Sequence, residues 1–547
     1  MTVRSIHPSR KPPSSQSPSF LEMDYAMLSV RAQRLFQSGF LFLALIVGLG
    51  GASLLSTRPE WLSAYLLMLL PTLWGVRLWT KSHRTGLPLL PLFLIQQAVV
   101  YAVPLVVGNK TLLDVRSQVI TASGLGVGVF FLCCIAGWRL AVNSGTSRPS
   151  KANLVLPGRG SAIDRCLTLA FAMLGLSLAF QLTMRAGLLY KILPTPLHGF
   201  FPIIVNFASG AGMLGAFFGG LAIGDRPDYK KRWGYWALLL AIFFLSVGDV
   251  LISAASALVI SAAVGLALGK QRLPFGFLLV ALGFVGFLNQ GKFDMRARYW
   301  SGESNINSVS LRGLPAFYGE WAVASAARLV ASETPGGEVV SIHEGGGQSI
   351  LERVNNMQNM VFVLQALESP DNSLLMGRTY SLIPVLFVPR FLWAEKSRTH
   401  EGQILLNLHF GRQMTVEQTE KTYIAWGLLP EVVGNFGRWF GPPLLGLLLG
   451  ASMGWLERIS RAKRLFSVEG MVLGGLLLIT VGSYEMVASV FLTSTFQFLV
   501  VVTVGGFILR AWFGRGCAAS PPVHRPRRVV GITQLRASRS PHEESPL

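Results

Sequence analysis

At 547 residues, with 51% hydrophobic side chains and only 14% charged ones, the chain is not an ordinary soluble domain, which carries about 25% charged residues. A formal charge of +21 raises nucleic acid as a partner, but the placement of that charge, traced below, argues against it. Four cysteines, two of them adjacent at Cys133-Cys134 inside an apolar run, form neither a disulfide framework nor a metal-ligand spacing.

Residues 1–37 are polar, with Pro and Ser clusters and no cleavable signal pattern, and read as a disordered cytoplasmic tail. Twelve apolar segments follow, near 38–56, 61–79, 87–107, 118–138, 166–184, 202–223, 234–248, 251–269, 273–290, 436–456, 468–484 and 486–509. The seventh and eighth form one long apolar run broken at Gly248-Asp249. The expected fold is an all-α polytopic membrane protein of about 12 transmembrane helices. Nine spans occupy 38–290, one large extracytoplasmic loop 291–435, three spans 436–510, and a basic cytoplasmic tail 511–547.

Lys and Arg concentrate in cytoplasmic loops near span ends. With the N-terminus inside, the inner segments collect Arg31 and Arg34, Lys81 and Arg84, Arg139 and Arg148, Lys230 to Arg232, Lys270 and Arg272, and Arg458 to Arg464. The short outer loops hold few: Arg58, Lys110, Arg116, Arg185 and Lys191. Both termini are therefore expected in the cytoplasm. The positive charge is that orientation signal plus two basic tails facing anionic membrane lipid, and nucleic acid is not needed to explain it.

Within the long loop the charge is nearly balanced. From Ser349, apolar residues recur at helical spacing through Leu367, with Glu352, Arg353, Asn356 and Asn359 expected on other faces. Ser332 to Gln348 is Gly-rich and reads as a connector. The most informative stretch is Gly377-Arg378-Thr379-Tyr380 through Pro389-Arg390-Phe391-Leu392-Trp393-Ala394-Glu395-Lys396. It sets two arginines around an apolar run too short to span a bilayer, a run expected to lie in the interface.

Arg353, Arg378, Arg390 and Arg398 are candidate diphosphate ligands, because arginine supplies permanent charge and bidentate donors. Each taken singly also suits snorkelling or pairing with a nearby acid such as Glu352 or Glu395. Glu431, among apolar neighbours at the mouth of the tenth span, is a candidate general base or a charge at a helix N-terminus. His400 and His409 are candidate proton acceptors. Asp294, Arg296, Arg298 and Tyr299 lie just outside the ninth span and are expected near the same cleft; Arg185, Tyr190, Lys191 and His198 form a weaker second group. There is no Walker A sequence, dinucleotide turn, HExxH or paired CxxC, so no cofactor and no metal are expected.

Gly377-Arg378-Thr379-Tyr380, Pro389-Arg390-x-x-Trp393-x-x-Lys396 and Glu431-x-x-x-Asn435-Phe436-Gly437 together resemble motifs of the Wzy-type oligosaccharide repeat-unit polymerases, the O-antigen and exopolysaccharide polymerases of bacteria. Ala394 and Ser397 stand where that family has prolines, and Pro430 where a glycine precedes the glutamate. The resemblance implies a glycosyltransferase-C-like, metal-independent membrane enzyme of the bacterial cytoplasmic (inner) membrane. Its donor and acceptor would both be polyprenyl-diphosphate-linked glycans, with a chain-length regulator and a flippase as candidate partners. Arg390 and Arg378 would bind the diphosphate, helped by Arg353, with Glu431 or His400 as base. An O-antigen ligase shares this topology and chemistry. A 12-span secondary transporter fits the span count but favours short loops and polar residues deep in the spans. The outer loop Thr57-Arg58-Pro59-Glu60 lacks the acidic pair of many polyprenyl-phosphate-sugar glycosyltransferases.

Overall fold

Apolar runs in hydrocarbon must satisfy every backbone N–H and C=O internally, and a helix does so within one segment. Helices accordingly dominate the computed structural model, and no strand occurs among the described residues. Those residues are 25–144, 162–188, 191, 201–228, 230–248, 250, 252–299, 309–333, 355–388, 392–393, 395–421, 424–465, 467–482 and 486–514.

The helices in chain order are α1 (Tyr25–Thr57), α2 (Leu62–Thr80), α3 (Leu89–Val107), α4 (Lys110–Leu113), α5 (Ser117–Asn143), α6 (Ala162–Arg185), α7 (Phe201–Asp225), α8 (Arg232–Val247), α9 (Ile252–Lys270) and α10 (Phe275–Tyr299). They continue with α11 (Leu314–Glu333), α12 (Met357–Ala366), α13 (Arg378–Ser381), α14 (Ile383–Leu386), α15 (Glu401–His409), α16 (Val416–Lys421), α17 (Leu428–Ser460), α18 (Val468–Gly482) and α19 (Ala488–Gly514). Eight helical segments among the described residues are long and apolar enough to cross a membrane, in α1, α2, α3, α5, α6, α7, α10 and α17. Four shorter apolar helices, α8, α9, α18 and α19, lie at the sequence positions of the expected seventh, eighth, eleventh and twelfth spans.

Two boundaries differ from the sequence expectation. Helix α1 already begins at Tyr25, inside the tail expected over 1–37, because Tyr25, Leu28 and Ala32 are buried and Arg31 pairs with Asp225 at 2.8 Å. The stretch 291–435 is not one polar loop. Helix α10 runs on to Tyr299, and α11 packs on it: the Trp321 Nε1 donates to the Leu288 carbonyl (2.7 Å) and Arg328 pairs with Asp294 (2.8 Å). Residues 1–24, the basic tail from 515 onward and most of the expected connector, 334–350, lie outside the described residues.

The centre of the bundle is the pairing of α5 with α17. Between helices in lipid there is little hydrophobic drive, so close backbone approach through small residues takes its place. Gly446, Gly450 and Gly454, on successive turns of α17, sit against the carbonyls of Phe130, Cys134 and Trp138 of α5. A Cβ would stand only 2.5 Å from the carbonyl oxygen at Gly446 and at Gly454. Both series ascend together, so α5 and α17 run parallel. Helices α7 and α9 repeat the device: Gly220 and Gly224 meet the carbonyls of Ala262 and Leu266, and Gly265 and Gly269 meet those of Phe217 and Leu221. They too run parallel, with α8 returning the chain between them.

Polar contacts sort the connections to two ends. At one end the Gly86 amide donates to the Glu457 carbonyl (3.0 Å), Arg84 reaches the Asn143 carbonyl (3.3 Å), Arg458 reaches Ser144 (3.1 Å) and Lys231 pairs with Asp164 (3.1 Å). The elements of 355–427 gather at the other end, where the Asn356 amide donates to the Val100 carbonyl (2.9 Å) and Ser489 of α19 to the Thr399 carbonyl (3.0 Å).

Gly450→Leu forces a side chain onto the Cys134 backbone. It is expected to cost at least the ~1–3 kcal/mol of an overpacked core and to lower the thermal unfolding midpoint of the purified protein. Gly48→Ala, where a Cβ meets nothing within 4 Å, is expected to leave that midpoint unchanged.

Candidate functional site

Helix α17 opens after Gly427 (φ 84°) and is broken at Gly437 (φ 80°), both in the left-handed region that glycine alone adopts without strain. The break frees the carbonyls that close its first segment, Leu428–Phe436, and the approach to α13 takes them. The Leu375 amide donates to the Gly434 carbonyl (3.1 Å) and the Met376 amide to the Asn435 carbonyl (3.0 Å). Side chains complete the clasp. Asn435 Oδ1 accepts from the Gly377 amide (3.1 Å), and its Nδ2 donates to Thr379 Oγ1 (2.9 Å) and to the Glu431 carbonyl (2.8 Å). The Tyr380 ring stacks on Phe436 at 5.6 Å. Two motifs some fifty residues apart in sequence are thus one structure.

Glu431 and Thr379 are both fully buried here. Glu431 Oε2 accepts the amide of Ala488, the first residue of α19, at 2.6 Å, which satisfies one orphan donor of that helix. Its Oε1 makes no close hydrogen bond among the described residues, and the Thr379 hydroxyl, whose oxygen accepts from Asn435, is within hydrogen-bonding reach of the carboxylate. The same helix carries a contrasting carboxylate, Glu457, also fully buried. Its Oε2 accepts from the indoles of Trp79 (2.9 Å) and Trp138 (2.7 Å), and its Oε1 from the Leu90 amide at the start of α3 (2.7 Å). Glu457 is a saturated clamp, whereas Glu431 has acceptor capacity left over. The Tyr380 hydroxyl is likewise buried without a partner, and burial, with the Glu431 charge nearby, pushes its phenol well above the usual range, so it stays a donor. An unused donor and a carboxylate with acceptor capacity to spare therefore sit in one clasp.

Of the predicted arginines, Arg378 opens α13 at the edge of this clasp, exposed and without an ion pair among the described residues. Arg398 is paired with Glu420 on α16 and exposed. Arg353 and Arg390 lie outside the described residues. His400, half-buried before α15, is bonded through Nδ1 to Gln403 Oε1 (2.6 Å), and His409 Nε2 meets the Ser373 carbonyl (2.8 Å). Lys396 donates to the Leu386 and Val388 carbonyls, so it closes the end of α14. The expected second approach from the ninth span is tied up by α11: Asp294 binds Arg328, and Tyr299 donates to Glu320 (2.9 Å). Arg185 is bonded to the Val309 carbonyl (3.2 Å), Lys191 is exposed, and Tyr190 and His198 lie outside the described residues.

Sequence reasoning missed Arg412. This guanidinium is half-buried against α12 and Trp426, and burial pushes it down to about 10, so it remains a cation at neutral pH. It donates to Asn359 Oδ1 (2.7 Å) and lies over the rings of Phe362 (5.3 Å) and Trp426 (5.7 Å), with no ion pair among the described residues. Asn359 also donates to Asn356 Oδ1 (2.7 Å) and to the Trp426 carbonyl (3.0 Å), and the Trp426 indole to Asn407 Oδ1 (2.7 Å). Asn356 and Asn359, expected on faces other than the apolar one, are both buried. The signal available was the asparagine cluster itself, three amides at 355, 356 and 359 beside an apolar run.

Comparison with protein-family models, curated proteins and solved structures finds no match for this chain.

Asn435→Ala removes the acceptor of the Gly377 amide and the donor to Thr379, a loss of about 1–3 kcal/mol. Amide hydrogen exchange at Leu375–Gly377 is expected to quicken by at least about tenfold, with the α5–α17 core unaffected.

Proposed function

We propose that the chain polymerises polyprenyl-diphosphate-linked oligosaccharide repeat units into a surface polysaccharide, at the outer face of a bacterial cytoplasmic membrane. The observation that carries this is the clasp: the Arg378 segment and the Glu431 segment, which resemble two motifs of one polymerase family, hold each other through Asn435. An exposed arginine at the clasp, Arg378, and a half-buried one against α12 and Trp426, Arg412, both lack a carboxylate partner among the described residues, as an anionic substrate requires.

The topology proposed is twelve spans with both termini cytoplasmic. The parallel pairs α5–α17 and α7–α9 support it, because parallel neighbours need an even number of helix reversals between them. The elements of 355–427 then lie outside, where no nucleotide is at hand, so the energy of the glycosidic bond arrives in the lipid diphosphate. The acceptor sugar's hydroxyl oxygen attacks the donor's anomeric carbon, the bond to the diphosphate oxygen breaks, and the polyprenyl diphosphate leaves. Arg378 and Arg412, with Arg390 and Arg353 from the sequence motif, stabilise charge on the leaving diphosphate. Glu431, which keeps acceptor capacity beyond the Ala488 amide and the Thr379 hydroxyl, accepts the hydroxyl proton. His400, engaged by Gln403, is the less suited base.

The test is complementation of a host deleted for the gene, with expression matched by immunoblot. Arg378→Ala, Arg412→Ala and Glu431→Gln are each expected to cut polymer at least about a hundredfold, the typical effect of one lost transition-state contact, and to leave single repeat units on the lipid. Full-length polymer from Arg378→Ala and Glu431→Gln would refute the assignment. Polymer accumulating on its carrier would mark a ligase instead.

A further inference from the structure

A groove of about 530 Å3 opens at the basic end of the bundle, far from the clasp, where the α7–α8 and α9–α10 connections meet. Arg232, Lys270 and Arg272 line it, with Trp233, Trp236 and Phe275 as aromatic walls, and no carboxylate among the described residues lines it. Nearby cations are neutralised within the protein: Arg31 by Asp225, Lys231 by Asp164 and Lys463 by Glu469. The three in the groove make no ion pair among the described residues. Arg232 instead donates to the Pro227 carbonyl (2.7 Å) and lies over Trp233 at 5.2 Å, which holds its guanidinium at the groove.

The rim continues into an apolar strip. Trp233 is 70% exposed and Phe275 59%, and beyond Phe275 on α10 the side chains of Leu279, Val280 and Leu282 are exposed as well. Helix α10 is among those long and apolar enough to cross a membrane. A polar basic pocket joined to an uncovered hydrocarbon surface fits a molecule with an anionic head and apolar tails, and charge complementarity fixes the sign of the head. We infer that this groove binds the phosphate headgroup of an anionic glycerophospholipid, with its acyl chains laid along α10. The volume is that of an ordinary ligand site, enough for a phosphoglycerol group. Free phosphate would use the three cations but leave the aromatic rim and the strip uncovered.

Native mass spectrometry of the full-length protein, titrated with phosphatidylglycerol and with phosphatidylcholine, tests this independently of any enzymatic role. Preferential retention of phosphatidylglycerol is expected. Arg272→Gln should weaken it about fivefold, and Arg232→Gln, Lys270→Gln and Arg272→Gln together on the order of a hundredfold. The charge-keeping pair Lys270→Arg and Arg272→Lys should retain it, which separates lost charge from lost folding. Equal binding of the two lipids, an unaffected triple variant, or equal loss in the charge-keeping pair overturns the inference. So does displacement by millimolar inorganic phosphate, which would make the site one for the free anion.

Discussion

The contact on which everything else depends is the approach of α17 to α5, glycine against carbonyl over successive turns. Two helices in lipid gain nothing from hiding apolar side chains that lipid would cover equally well. What holds them is dispersion between surfaces brought near enough to interlock, and only residues without a Cβ permit that distance here. The long arm of α17 beyond Gly437 is thereby fixed in the bundle. The polar elements of 355–427 in turn assemble around its first segment: Phe410 and Val363 pack at Gly434, while Leu375 and Met376 hydrogen-bond to its carbonyls.

From that fixed helix two glutamates reach out in the same manner, each accepting the amide of a neighbouring helix's first turn. The difference between them is saturation. Glu457 has two indoles and a backbone amide, and every one of those donors is itself buried; it behaves as a structural joint. Glu431 satisfies α19 with one oxygen and has only the Thr379 hydroxyl besides, next to a phenol that is itself unmatched among the described residues. Buried polar atoms in native proteins are rarely left this way without a reason, and the exceptions concentrate where chemistry happens. Burial alone does not distinguish the two carboxylates; the number of donors each one receives does.

Much of this was readable from residue order. Apolar runs of spanning length located the long helices, since length and composition suffice for that. The Gly377 and Glu431 segments could be paired only through their resemblance to two motifs of one family; the glycines at 377, 427 and 437 that punctuate them all have positive φ. Other features depended on contacts between distant positions. Arg412 looks like a loop arginine until Phe362 and Trp426 close over it. Asn356 and Asn359 fall on the polar face by spacing, yet α3 and Trp426 cover that face. Helix α11, with Glu320 and Arg328 along it, is too polar to stand out as apolar and is held by Trp321 and Phe317 against α10. The basic end of α1 looked like tail because Tyr25 finds its partner, the Gly470 carbonyl, more than four hundred residues away.

The paired glutamates also set mechanical limits on α17. Glu431 grips α19 at one end and Glu457 grips α3 at the other, and both grips run through backbone amides that cannot follow a sliding partner. A helix advances 1.5 Å per residue, so axial travel of even one residue breaks both holds at once. Glycines wedged against the α5 carbonyls resist the same movement. Piston motion is therefore closed to this element. What remains is a swivel at Gly437, where the backbone leaves helical geometry just before Pro442 and Pro443, and that hinge carries Glu431 on its short side.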